Sequence, residues 1–362
     1  MAVLGSPGHH RRRLARADAA TRSRCVMSAC PPFDRLLVLP RLRVQNANAI
    51  SSPLTHGFPS MTAFVGLMWA LQRKTHKLGL DLSFSAVGVV CHDYEEQISE
   101  SGFVRRFRLT RNPIDKDGST AAIAEEGRIH LELSLVFAVR SERWDREPDR
   151  VDVDLATVAE LVAGMRIAGG SPVLSPRTSS WRQRPYLVNL AGTEDDQRAV
   201  FRHARYRLLP GFALVARDDL LETRLNELRR HDLAASPLDA WLSLVRIDWR
   251  HEPATDAAGG KGEWRNDRRG RGWVVPIPVG YGALGGVQAA GTVANARDAA
   301  TPFRFVESLY SVGEWISPHR ITSPEQFLWY ADSRPDEGRY RCRNDYRPMQ
   351  DSSASALEHD FD

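Results

Sequence analysis

Cysteine is scarce in this chain. Its 362 residues include only Cys25, Cys30, Cys91 and Cys342, with no Cys-x-x-Cys pair. Such scarcity excludes a disulfide scaffold and a cysteine zinc site, and it fits a reducing cytoplasm. Long apolar runs are missing as well, which excludes a helix that crosses a bilayer. Excess charge of one sign is small: the formal net charge is +4, and residues 1–26 alone carry six arginines against Asp18. That segment is therefore +5 and the rest of the chain −1. A nucleic-acid partner would have to be met by local patches rather than by a general positive field. What is present is ordinary globular material, 42% hydrophobic and 26% charged. The composition predicts a soluble, intracellular, globular protein.

Reactive motifs are also lacking. No Gly-x-Ser-x-Gly elbow anchors a serine hydrolase, and Gly259-Gly260-Lys261-Gly262 lacks the upstream glycine and the Ser/Thr of a phosphate loop. Gly280-Tyr281-Gly282-Ala283-Leu284-Gly285 spells a dinucleotide fingerprint, but Pro276 and Pro278 interrupt the strand that should precede it and a poor helix former follows. A glycine-lined loop that lets another backbone approach closely explains it better. His92-Asp93 with Glu95 and Glu96 reads as the satisfied polar end of a strand. No catalytic residue, cofactor or metal is expected.

Residues 1–34 form an Arg-, Ala- and Ser-rich tail without an apolar face, and Met27 reads as the natural start. Order is expected from Arg35. After Pro40 the first strand alternates, with Leu42 and Val44 opposite Arg41, Arg43 and Gln45, and Pro40 demands an edge or a bulge. A polar loop from Asn46 follows, and then Ser60 caps a helix over 61–77 with Met61, Phe64, Val65, Met68 and Trp69 inward. Strands follow over 85–92 and 129–140, the second with Ile129, Leu131, Leu133, Leu135, Phe137 and Val139 on one face. Residues 93–128, with Arg105, Arg106, Arg108, Arg111 and Lys116, read as an excursion from the sheet.

Asp154 is expected to cap a helix that Gly169-Gly170 stops. A helical region spans about 152–250, with starts at Thr193 and at Ser236-Pro237 and with Leu238, Trp241, Leu242 and Val245 inward. Residues 252–272 read as an exposed loop, a strand covers 273–279, and 346–362 fray. One body, 35–345, results.

Arginine and amide side chains recur beside the strands. Arg41, Arg43, Gln45, Asn46 and Asn48 form one set and Arg111-Asn112 another. Arginine holds phosphates in bidentate fashion and amides read base edges, so together they favour single-stranded RNA.

The blocks LLVLPRLRVQNANAISSPLTHGFPSMTAF, LTRNPIDKDGSTAAIAEEGRIHLELSL, MRIAGGSPVL, GWVVPIPVGYGAL and NARDAATPFRFVESLYSVGEWISPHR, in this order, closely resemble the five-prime-handle-binding subunit family of the type I-F CRISPR surveillance (Csy) complex. The resemblance covers about residues 35 to 342. It implies a non-catalytic, Cas5-superfamily RNA-binding protein of α+β class. The palm would be an RRM-like (ferredoxin-like) sheet, with an inserted thumb over about 93–128 and a helical part. Implied partners are the 5′ handle of the guide RNA (crRNA), the large subunit and the adjacent backbone subunit. Target DNA would be met only through the assembled complex, in the cytoplasm and away from membranes. The RNA surface is expected to comprise Arg41, Arg43, Gln45, Asn46, Asn48, Ser51, Ser52, Arg111, Asn112, Gly169 and Gly170, the two glycines leaving room for a sugar–phosphate backbone. The family commonly carries tryptophan where this chain has His56. Some relatives process precursor RNA, so a metal-independent endoribonuclease is the alternative; His92, Tyr94 and His319 supply side-chain types for it.

Overall fold

The computed structural model describes residues 29–111, 114, 117–120, 123–173, 183–252, 262–266, 272–296 and 298–348. Residues 1–28 of the arginine-rich tail (Cys25 among them), Asn112, Lys116 and the far C-terminus lie outside them, whereas Cys30 and Phe33, expected in the tail, pack against the core.

Strand β1 (Arg35–Asn48) is followed by the hairpin β2 (Ile50–Ser52) and β3 (Thr55–His56), helix α1 (Met61–Lys77) and strand β4 (Ser83–Glu96). Two small hairpins come next, β5 (Ile98–Ser101) with β6 (Val104–Phe107) and β7 (Leu109–Arg111) with β8 (Ile123–Glu125). Strand β9 (Arg128–Arg140) then returns to the sheet. Helices α2 (Glu142–Arg146) and α3 (Val151–Ala163) lead to β10 (Ser171–Val173), β11 (Tyr186–Asn189), α4 (Glu194–Tyr206), β12 (Phe212–Ala216), α5 (Asp218–Arg229) and α6 (Pro237–Val245). The hairpin β13 (Trp249–Glu252) and β14 (Glu263–Asn266) precedes β15 (Val274–Ala283), β16 (Val306–Ile316), β17 (Trp329–Arg334) and β18 (Arg339–Asn344).

Ten of these strands form one antiparallel sheet in the order β10-β1-β9-β4-β12-β16-β15-β18-β17, with β11 also on β1. Its first part runs β10/β11-β1-β9-β4, so β1 and β4 are parallel to each other with β9 between them. Its second part turns back, since β17 returns to β4 through Trp329 opposite Val87.

The alternation in β9 does what its pattern demands. Ile129, Leu131, Leu133, Leu135, Phe137 and Val139 all join the main core under α1 and α3, and Val136 and Ala138 face the second core with Phe201 of α4. The run Leu36-Leu37-Val38-Leu39 in β1, which is interior to the sheet and not an edge, is buried on both faces because Leu37 and Leu39 face the main core and Leu36 and Val38 the second. Pro40 is accommodated by a bulge between Leu39 and Leu42, where β10 and β11 both leave the strand unpaired. A second bulge lies between Val44 and Ala47. Arg41 and Asn46, both at φ 55°, absorb the extra residues. Each bulge shifts the phase by one, so Leu39, Val44 and Ala47 reach the same core despite their spacing.

Several expectations need correction. The segment from Asn46 is not a loop, for β1 continues to Asn48. Trp69 is 39% exposed, on the flank of a stripe centred on Phe64, Met68 and Leu71. Asp154 caps nothing: α3 begins at Val151, and the buried Asp154 carboxylate accepts the Trp144 indole N–H at 2.9 Å. Gly164, not Gly169-Gly170, follows that helix. In α6 the inner face belongs to Trp241, whose indole N–H donates to the Ser311 carbonyl, and to Leu244. Leu238 and Leu242 are left outward. Within 252–272, Glu263–Asn266 forms β14 and pairs with β13, while residues 253–261 and 267–271 lie outside the described residues. Gly280 and Gly282 lie within β15, not in a loop, and a Cβ at Gly280 would overlap the Tyr340 carbonyl oxygen. Pro276 and Pro278 also lie within β15, on the stretch that pairs only with β16, so their missing donors disturb no second ladder. Tyr346 does not fray but packs on the second core. The capped starts at Ser60, Thr193 and Ser236 are observed, the last two as capping boxes.

Candidate nucleic-acid interface

The polar end of β1 is built by its bulges. Arg41 is turned by its left-handed backbone so that its N–H donates to the Ser134 hydroxyl at 3.1 Å. Its guanidinium pairs with Glu132 at 2.9 Å and donates to the Leu209 carbonyl at 3.0 Å. Arg41 is thus spent on holding the sheet to the 209–210 turn. Arg43, two residues on, is exposed and has no hydrogen-bond or ion-pair partner among the described residues. It shares a shallow groove with Gln45, Tyr94 and His130, where Asp93, Glu95 and Glu132 also converge. Those carboxylates suit the amino groups of bases, while Arg43 is the groove's group for a phosphate.

The Asn46 amide oxygen accepts from Gln97 at 2.5 Å, and the same Gln97 amide lies 3.0 Å from His130 Nε2. Asn48 is occupied locally: its amide donates to the Ile50 carbonyl at 2.8 Å and accepts the Ile50 N–H at 3.2 Å. Ser51 and Ser52 turn inward within their hairpin, both bonded to the Thr55 hydroxyl. Gly169 is exposed at φ 81°, where a Cβ would lie 4.0 Å from the Asn48 Cβ, an ordinary contact. Gly170 does not make room for a sugar–phosphate chain. A Cβ there would lie 2.7 Å from Ala47 N and Gln45 O, so its space is taken by β1 itself. Arg111 pairs through its backbone with Ile123, in β7, and Asn112 lies outside the described residues.

Further exposed cations sit on the excursion between β4 and β9. Hairpin β5–β6 carries Arg105, which pairs with Glu100 at 2.9 Å, and Arg106; exposed Arg108 follows the hairpin, and Phe103 at its tip is fully exposed. Its base is tied to the β2–β3 hairpin by the edge-on contact of Phe107 with His56, and His56 Nδ1 lies 3.2 Å from Glu96. His56 therefore makes an aromatic contact within the fold.

Beside this end of the sheet lies a cavity of about 400 Å³ that the sequence reading missed. Phe58, Trp315, Trp273 and Phe212 line it, with Tyr94 and His92 from β4. These residues are scattered from 58 to 315, so no local pattern announces them. His92 has both ring nitrogens engaged, Nδ1 with the Pro210 carbonyl at 2.6 Å and Nε2 with the buried Ser134 hydroxyl at 2.7 Å. Burial holds its pKa below the ordinary value. The Cys91 thiol is pushed by burial up to about 12 and is no nucleophile at neutral pH. Among the described residues no three His, Cys, Asp or Glu side chains converge to hold a metal ion, and no helix is long and apolar enough to cross a membrane.

A mixed α/β protein on a large antiparallel sheet, with its free polar groups on exposed strand ends and hairpins, is the class these features define. The family model described as CRISPR-associated protein (Cas_Csy2) matches residues 37–342. CRISPR-associated protein Csy2 of Pseudomonas aeruginosa (strain UCBPP-PA14) is 47% identical over 324 residues, 87% of this chain and 96% of that relative. The chain belongs to the CRISPR-associated Csy2 family.

Proposed function

We propose that the chain is the non-catalytic subunit that binds the 5′ handle of the guide RNA in a type I-F CRISPR ribonucleoprotein, alongside the large subunit and the adjacent backbone subunit. The observation that carries this reading is the family match across nearly the whole described body. The strand order supports the RRM-like palm: with β1, β4, β9 and β10/β11 counted as first to fourth, the sheet runs fourth-first-third-second, with α1 and α3 as the two crossings. The arginine-bearing hairpin β5–β6 supports a thumb that reaches beyond the palm. RNA would meet Arg43, Gln45, Arg106 and Arg108 first, because Arg41, Asn48 and Arg105 are already engaged.

A repeat-cutting endoribonuclease needs an imidazole or amine free to take a ribose 2′ proton. His92 is closed by its two bonds, and nothing in the geometry favours that second reading. The test is incubation of the full chain, alone and with its partner subunit, with repeat RNA at two salt concentrations. Expected are salt-sensitive binding to handle-bearing RNA and intact RNA on the gel, with or without divalent metal. Cleavage abolished by His319→Ala, or affinity indifferent to salt and handle sequence, would overturn the assignment.

A further inference from the structure

The aromatic cavity is not needed for the RNA reading, and its chemistry points elsewhere. Its wall is a continuous row of rings. Phe58 meets Trp315 edge-on at 4.9 Å, Trp315 lies 6.1 Å from Trp273, and Trp273 meets Phe212 at 5.4 Å. Phe58 and Trp315 are anchored on the main core, whereas Trp273 and Phe212 are 48% and 43% exposed. Large aromatic faces left open to water in a concave site mark a place where something packs.

The polar groups of the same cavity decide what packs there. Strand β4 brings Asp93 and Glu96 to it, and no lysine or arginine is among its lining residues. Asp93 spends one carboxylate oxygen on the Tyr94 N–H, and Glu96 one on His56. Among the described residues the other oxygen of each has no hydrogen bond. An RNA backbone brought against two carboxylates without a cation would be repelled. A neutral apolar side chain would strip water from those carboxylates and leave them unpaired, which is costly. A guanidinium satisfies both demands, because its planar face stacks on an indole while its edge donates to a carboxylate.

We propose that this cavity receives an arginine side chain from a protein partner of this chain, stacked against Trp273 and paired with Asp93 or Glu96. A partner is thereby fixed through one cation, next to the Arg43 groove, with which the cavity shares Asp93 and Tyr94. The proposal does not rest on the handle-binding reading.

The test uses the full chain labelled with ¹⁵N at tryptophan, the Trp273 indole resonance being assigned by Trp273→Phe. N-acetyl-arginine amide, N-acetyl-norleucine amide and cytidine monophosphate are titrated separately. Expected is a saturable shift of the Trp273 resonance with the arginine amide only. In the double variant Asp93→Asn, Glu96→Gln its affinity should fall by about tenfold, the factor for losing one charge-assisted hydrogen bond. The thermal midpoint of that variant, measured in parallel, shows whether the fold is kept. An equal response to the norleucine amide, a response to the nucleotide instead, no saturable response to any probe, or an arginine affinity unchanged in a folded double variant each overturns the proposal.

Discussion

Arg41 and Arg43 stand two positions apart in one strand and carry the same charge, yet their surroundings separate them. Arg41 bridges Glu132 and the Leu209 carbonyl; Arg43 is exposed and unpaired. Arg41→Ala should therefore cost stability, about 1–3 kcal/mol for orphaned partners of a charged donor, and lower the denaturant midpoint. Arg43→Ala should leave that midpoint unchanged, weaken RNA binding and flatten the salt slope by about 0.7, the share of one phosphate contact to a single strand. An Arg43→Ala protein with wild-type affinity and slope would remove this strand end from the RNA surface.

His92 gives a second prediction at this scale. Its pKa lies below the ordinary 6.5, with burial as the largest cause. Above that value the side chain is neutral folded and unfolded, and its contribution is complete. As pH falls below it the unfolded chain takes up the proton first, so stability declines until the folded pKa is passed. The thermal midpoint should drop more between neutral pH and about pH 5 in the wild type than in His92→Gln. Equal drops would show that the imidazole takes up its proton without penalty.

Strand β1 shows what an element can do that its residues cannot do singly. Two bulges, each with a left-handed residue, let fourteen residues keep one apolar set on the core while rotating the polar set between them. The second bulge is fitted against Gly170, whose missing Cβ lets Gln45 and Ala47 approach. Gly170→Ala must push backbone rather than a flexible side chain, so a loss of about 1–3 kcal/mol is expected, read as a lowered unfolding midpoint. The same variant should weaken RNA binding if the Gln45–Asn46 turn belongs to the RNA surface. Pro40 announced the first bulge in the sequence. The second had no such mark, because asparagine is at home in loops as well as in left-handed strand positions.

At the scale of the molecule, the return of β17 to β4 ties the second half of the sheet to the first. Trp329 is the joint. It is fully buried, sits opposite Val87 and donates its indole N–H to the Leu214 carbonyl at 2.8 Å. Trp329→Ala should cost about 3–5 kcal/mol, in line with emptying a large aromatic site. Trp329→Phe should cost less, since it keeps one ring in the site and loses the bond to the carbonyl and only part of the indole volume. Calorimetry of both variants checks this, and a Trp329→Ala protein unfolding at the wild-type midpoint would show that the two halves do not depend on this joint.

The sequence by itself determined the local elements of this protein: the alternation of β9, the capped helices at Ser60, Thr193 and Ser236, the bulge at Pro40 and the basic excursion after β4. Each is encoded within a few neighbouring residues, through periodicity or a cap. The family, too, was legible, because long idiosyncratic blocks run in order through the chain. Only the tertiary structure decided which polar residues are free. Arg41 and Asn48 read as exposed, functional types, and their partners, Glu132 and Leu209 for the one and the Ile50 backbone for the other, close them off; His92, read as a satisfied strand end, finds its partners Pro210 and Ser134 only through the fold. It also gathered Phe58, Phe212, Trp273 and Trp315 around one cavity. Packing between residues far apart in the chain leaves no periodic trace in sequence, and burial of a polar group depends on what the rest of the fold places against it.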